Sequence, residues 1–152
     1  MTGDSTGARR VAITGLGVVA PAGVGVGPFW AGLNGPGTTG TEFVEIADWD
    51  PAPYFDNPKD ARRADRVEQF ALAAAGEAFD RAGGLDAIGV DAGRFGTIFA
   101  TGIGGLNTLE AQVLVAENKG ERRVSPFLVP MMMSNASGAA ISMRYGLQGQ
   151  SE

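Results

Sequence analysis

Gly15-Leu16-Gly17-Val18-Val19-Ala20 follows an apolar run, Val11 to Ile13, and reads as G-x-G-x-x-A after a strand. That spacing is a permitted form of the dinucleotide fingerprint, in which glycines admit a pyrophosphate and a helix N-terminus supplies amides to hold it. Pro21-Ala-Gly-Val-Gly-Val-Gly-Pro28 comes next, and its Gly and Pro spacing predicts that no helix survives there. The acidic residue expected ~20 positions further on would fall in Asn34-Gly35-Pro36-Gly37, where none is present. Gly104-Gly105 lacks both a second fingerprint and a P-loop lysine. The glycines are therefore expected to serve tight packing rather than a nucleotide.

Other chemistry is sparse. The sequence has no Cys and no His, which removes disulfides, the thiolate–imidazole pair and most zinc chemistry. No metal site and no catalytic residue is assigned within it. Glu110 and Glu117 sit seven residues apart on one predicted helix and could imitate a paired acid/base site; solvated carboxylates are the simpler reading. Arg62-Arg63 and Arg122-Arg123 stand out because the protein is acidic, with net charge −5. Met131-Met132-Met133 is a flexible apolar run suited to a variable cavity or to core filling. Asn135 and Ser137 are polar within the same apolar segment.

The elements that must position these residues follow from composition and period. At 152 residues, 44% hydrophobic and 19% charged, the chain fits one globular domain. The acidic balance argues against nucleic-acid binding. No apolar run is long enough for a membrane span, and the polar start MTGDSTGAR is unlike a signal peptide, so a cytoplasmic protein is expected. Val11 to Thr14 is predicted as a buried strand, and Pro28 to Leu33 as a short helix stopped by Asn34. An ordered covering loop is expected from Thr38 to Asp60. The clearest helix is predicted from Arg62 to Gly83, with Val67, Phe70, Ala71, Ala74 and Ala78 on one face. Phe95 to Thr101 is the second strand candidate, Leu106 to Asn118 the next helix, and Ser125 to Tyr145 a last apolar segment ended by Gly146. No strand is expected in the closing GLQGQSE. This order indicates an α/β layered domain.

Five segments in sequence order resemble the β-ketoacyl-acyl-carrier-protein synthases, most closely the elongating type II enzyme. They are RRVAITGLGVVAPAG (9–23), FWAGLNGPGTTG (29–40), DARRADRVEQFALAAAGEAFDRAG (60–83), FGTIFATGIGGLNTLE (95–110) and RRVSPFLVPMMMSNASGAAISMRYGLQG (122–149). The resemblance implies an α/β thiolase-like fold, of which this chain is the incomplete front part of the N-terminal half. Residues 1–8 are then a flexible start, and 9–152 an N-terminal domain portion truncated before the nucleophile turn. The family's Cys follows a segment that looks like Gly146 to Ser151, and its two His and Lys come later. All four are expected beyond Glu152, which leaves this piece inactive by itself.

The resemblance further implies fatty-acid elongation by decarboxylative Claisen condensation, with no cofactor and a homodimeric full-length protein. Arg62, Arg63, Arg122 and Arg123 match positions that face the acidic acyl carrier protein and its phosphopantetheine phosphate. Placement at the N-terminal ends of helical segments favours docking, since a cation there opposes the helix dipole. The alternative is solvated pairing with Asp60, Asp65, Glu68 or Glu121. Ile103, Leu128 and Met132 are the acyl-pocket candidates, Leu128 reaching the tunnel from a partner subunit; ordinary core packing is the alternative for each. Asn135 and Ser137 could bond across a dimer or hold backbone near the nucleophile turn. A polyketide ketosynthase, or its non-catalytic partner subunit, is the rival within the family, although TGIGGL leans to the fatty-acid enzyme. A carrier-binding module without catalysis is the rival of another class.

Overall fold

The computed structural model describes residues 10–37, 43–46 and 48–152. The flexible start expected at 1–8 lies outside them, as do residues 38–42 and 47 of the expected covering loop. The elements in chain order are β1 (Val19–Ala20), β2 (Gly23–Val24), α1 (Val26–Leu33), α2 (Arg66–Arg81), α3 (Leu85–Ile88), α4 (Leu106–Lys119), α5 (Leu128–Met132) and α6 (Ala136–Tyr145). Short 3-10 turns lie at Ala52–Tyr54, Asp60–Arg63, Ala92–Arg94 and Glu121–Arg123.

Helix α2 is the centre of the molecule. It starts four residues later than the period predicts, because Ala64 and Asp65 are extended and the Asp65 carboxylate takes the Val67 amide at 3.0 Å. An aspartate N-cap satisfies a donor that a longer helix would have left to the next turn. At the other end Gly83 and Gly84, with φ of 90° and 85°, stop it as expected. Its burial is wider than one stripe. Ala71, Leu72 and Ala73 are all buried, since three segments press on it from different sides. Ala71 and Leu72 join Ala140 and Ile141 of α6 and Leu147 in the core. Phe79 packs on Phe95 and Tyr145 at centroid distances of 5.7 and 4.3 Å. The loop before α2 covers its outer side, with Trp49 edge-on to Phe70 and its indole N–H donating to Gln69.

Residues 10–18 supply the third side. A methyl group on Gly15 or Gly17 would overlap the carbonyl of Ala78 or Ala74 respectively, so two glycines meet two alanines at backbone contact distance. The expected strand at Val11 to Thr14 is not formed, and Val11 and Ile13 are 92% and 81% exposed. Among the described residues no strand lies beside it, and an unpaired β run has no ladder to join. Among the described residues the one two-stranded sheet is the tight hairpin Val19↔Val24 and Ala20↔Gly23.

Two other expectations change. Helix α1 begins at Val26, inside the stretch predicted to exclude a helix. Gly27 and Pro28 fall in its first turn, where backbone N–H groups have no intrahelical acceptor and a proline sacrifices nothing. The strand expected at Phe95 to Thr101 is reduced to one parallel bridge, Thr97↔Ser151, and the closing segment forms no strand, as expected, although it runs parallel to residues 95–99. Thr97 N donates to Gln150 O (2.8 Å), Glu152 N to Thr97 O (2.9 Å) and Phe99 N to Glu152 O (2.9 Å). Period alone could not show this, because GLQGQSE is polar and glycine-rich and its partner lies about fifty residues away. The Thr97 hydroxyl ties the pairing to α6 through Ser142 at 2.8 Å and Gly138 O at 3.2 Å.

Candidate functional site

Arg62 and Arg63 end the 3-10 turn before α2, and Arg122 and Arg123 end the turn after α4. Neither pair heads a helix, so the dipole reason for reading them as a dock does not apply. The extended Ala64 and Val124 that follow each turn separate the arginines from the next element. All four are exposed. Asp65 is not their partner: it is buried and turned to helix amides. Arg63 lies 3.9 Å from Asp60, an exposed contact worth little, and its guanidinium carbon stands 4.9 Å over the Phe127 ring. Lys59 and Lys119 flank the same turns and are also exposed. Sequence reasoning passed over both, and their position beside the arginine pairs was the available signal.

The acyl-pocket candidates occupy one neighbourhood. Ile103 is 63% exposed in the loop before α4. Two residues on, Gly105 N donates to Met132 O at 3.2 Å. Leu128 and Met132, both half-buried, are one turn apart on α5, a spacing that puts them on the same side. A cleft of about 500 Å3 lies elsewhere, beside Glu77 and Tyr145, whereas one of about 550 Å3, beside Arg66 and Phe70, is also lined by Gly104, Leu106 and Asn107 of the segment that follows Ile103. Ser137 is 1% exposed, whereas Asn135 is exposed just before α6. Glu110 and Glu117 are both exposed on α4.

Carboxylates on α2 organise the loops around these positions. Asp65 accepts from Val67 N through Oδ1, and from Thr108 N (2.9 Å) and Thr108 Oγ1 (2.6 Å) through Oδ2. One buried side chain thereby caps α2 and the first turn of α4, directly behind the Ile103 loop. Gly105 leaves the room, since a Cβ there would meet the Asp65 carboxyl carbon at 3.0 Å. Three residues on, burial and the Asp65 charge push the Glu68 carboxyl up to about 7. Glu77 accepts from Val26 N at 2.8 Å, Val18 N at 3.0 Å and Arg81 Nε at 3.0 Å. Burial works to raise its pKa, but the Val26 and Val18 amides and Arg81 outweigh that and hold it below 4.5. The anion at the glycine turn is thus the protein's own. Asp65-x-x-Glu68 matches a capping pattern readable in sequence; nothing local marks Glu77.

A family model described as Beta-ketoacyl synthase, N-terminal domain, matches residues 34–152. The chain belongs to the β-ketoacyl synthase family. It is 35% identical over 155 residues to 3-oxoacyl-[acyl-carrier-protein] synthase 2 of Synechocystis sp., covering 93% of this chain and 36% of that synthase. It is 33% identical to a putative polyketide beta-ketoacyl synthase 1 of Streptomyces halstedii, covering 93% of this chain and 37% of the other. Among solved structures it superposes on a type II polyketide ketosynthase in complex with its acyl-carrier protein and bound to the hexaketide. The TM-score is 0.78 at 25% identity, over 92% of this chain and 40% of that one. A β-ketoacyl synthase from Burkholderia phymatum shares the fold at TM-score 0.62 and 21% identity, over 91% and 37%. The chain thus spans a little over a third of the curated synthases it matches. The ketosynthase fold explains a mainly helical α/β unit. Among the described residues no helix is long and apolar enough to cross a membrane.

Proposed function

We propose that this chain serves 3-oxoacyl-[acyl-carrier-protein] synthesis in fatty-acid elongation, as the N-terminal portion, residues 9–152, of a cytoplasmic, homodimeric synthase. The match of residues 34–152 to the ketosynthase N-terminal domain carries this reading. In the reaction an acyl group is held as an enzyme thioester and malonyl-carrier loses carbon dioxide. The resulting carbanion attacks the thioester carbonyl, forming the carbon–carbon bond and expelling the enzyme thiolate. We assign no bond-making step to this chain, because it has no Cys to carry the thioester and no His to move protons. Its residues act on substrates indirectly. Ile103, Leu128 and Met132 wall the acyl chain, and Arg62, Arg63, Arg122 and Arg123 receive the carrier.

The test is a condensation assay with acyl- and malonyl-carrier. This chain by itself gives no 3-oxoacyl product, and turnover by it would overturn the reading. In the whole synthase, Ile103→Phe shortens the longest acyl chain accepted, as product analysis would show; an unaltered chain-length profile removes Ile103 from the wall. The similarity to polyketide ketosynthases, at TM-score 0.78 for one of them, supports a second reading as a polyketide ketosynthase or its non-catalytic subunit. Preference for a poly-β-keto over a saturated acyl-carrier would decide for it.

A further inference from the structure

The two arginine pairs are about sixty residues apart in sequence, yet Arg63 of the first meets the ring of a residue four positions after the second. Residues 59–63 and 119–123 hold Lys59, Arg62, Arg63, Lys119, Arg122 and Arg123 against only Asp60 and Glu121. These ten residues contain half of the twelve basic side chains of an acidic protein. The joint is Phe127, whose ring lies 4.9 Å beneath the Arg63 guanidinium carbon. Four residues reach at most roughly 14 Å, so the Arg123 Cα lies within that distance of the Cα of the residue whose ring carries Arg63. The backbone that carries the ring is tied down. Gln112 of α4 accepts from Ser125 N at 2.7 Å, and Ser125 Oγ accepts from Phe127 N at 3.1 Å.

We infer that Phe127 is a positioning residue of an acidic-protein docking surface, an aromatic platform that holds the Arg63 guanidinium ready for a partner carboxylate or phosphate. The inference rests on the carrier-docking reading above and names the acyl carrier protein as occupant on charge complementarity. A guanidinium stacked on a ring keeps its N–H donors directed outward in one plane, the geometry that a bidentate carboxylate or phosphate needs. Holding the side chain in advance removes part of the ordering cost of association. Phe127 is still 41% exposed and Arg63 61%, so both remain open to a partner.

The test titrates the whole synthase with phosphopantetheine-bearing acyl carrier protein at several salt concentrations. Phe127→Leu keeps the apolar volume and removes the ring; it should weaken binding roughly two- to five-fold, the scale of an exposed cation–π contact, and flatten the salt dependence. Phe127→Tyr keeps the ring and should bind as the parent does. Parent-like affinity in Phe127→Leu, or equal losses in the Leu and Tyr variants, would overturn the platform. Arg63→Glu and Arg123→Glu separate the two claims. If they leave affinity unchanged, the docking reading fails and the platform with it. If they weaken binding while Phe127→Leu does not, only the platform fails.

Discussion

The two ends of α2 solve the same problem with different carboxylates. At the N-terminal end Asp65 is 4% exposed and takes its hydrogen bonds from Val67 and Thr108, with no basic side chain among these donors. Toward the C-terminal end Glu77 keeps 23% of its side chain exposed, takes two amides of the glycine turn, and adds an ion pair with Arg81. Each carboxylate caps another helix, α4 or α1, and each sits where close backbone approach needs glycine. Glu68 lies between them, and burial together with the Asp65 charge pushes its pKa up. Between Glu68 and Glu77, burial alone therefore does not decide the direction of the shift; the amides and the arginine that face Glu77 do.

That contrast predicts its own tests. The largest effect is expected for Asp65→Ala, which leaves amides of two helices and a buried hydroxyl unpartnered; about 3–5 kcal/mol of unfolding free energy should be lost in urea titrations. Thr108→Val should lose a smaller part of it. Next comes Glu77→Gln, at about 1–2 kcal/mol near neutral pH. Because the Glu77 pKa is lowered on folding, its stabilisation is present above 4.5 and fades as pH falls through the folded value. Wild type and variant should therefore converge in strong acid, and a constant difference down to that range would break the comparison. The smallest effect is expected for Glu68→Gln, with the opposite sign. Its folded pKa lies above 4.5, so the folded state binds more protons between 4.5 and about 7, and stability falls as pH rises through that window. The variant should gain on the order of 1 kcal/mol at pH 8, reduced by solvent screening of a half-exposed group, and nothing at pH 4. Thermal unfolding at the two pH values reads this directly.

Much of the punctuation was legible in the residues. Asn34, Gly83-Gly84 and Gly146 stop their helices where local chemistry says they should, and Ala74 and Ala78 admit the neighbouring backbone. The start of α2 was misplaced, because a period cannot weigh an aspartate cap against four more helical residues. The strand at Val11 to Thr14 was misread because β-propensity presumes a neighbour. The basic candidates were legible by type, while the contact of Arg63 with Phe127 was not. Ile103 and Met132 were named separately, and one backbone hydrogen bond from Gly105 brings their segments together.

By itself, the sequence determined the absence of thiol and imidazole chemistry, the helix boundaries set by Gly and Asn, and the ordered motifs that mark a ketosynthase. Those properties depend on residue type or on neighbours within a turn or two. Only the tertiary structure decided that Glu77 fills the glycine turn, that residues 149–152 pair with 95–99, and that Arg63 rests on Phe127. Each of these contacts joins groups roughly fifty or more residues apart, where local period and propensity carry no information and packing against α2 and its neighbours sets the geometry.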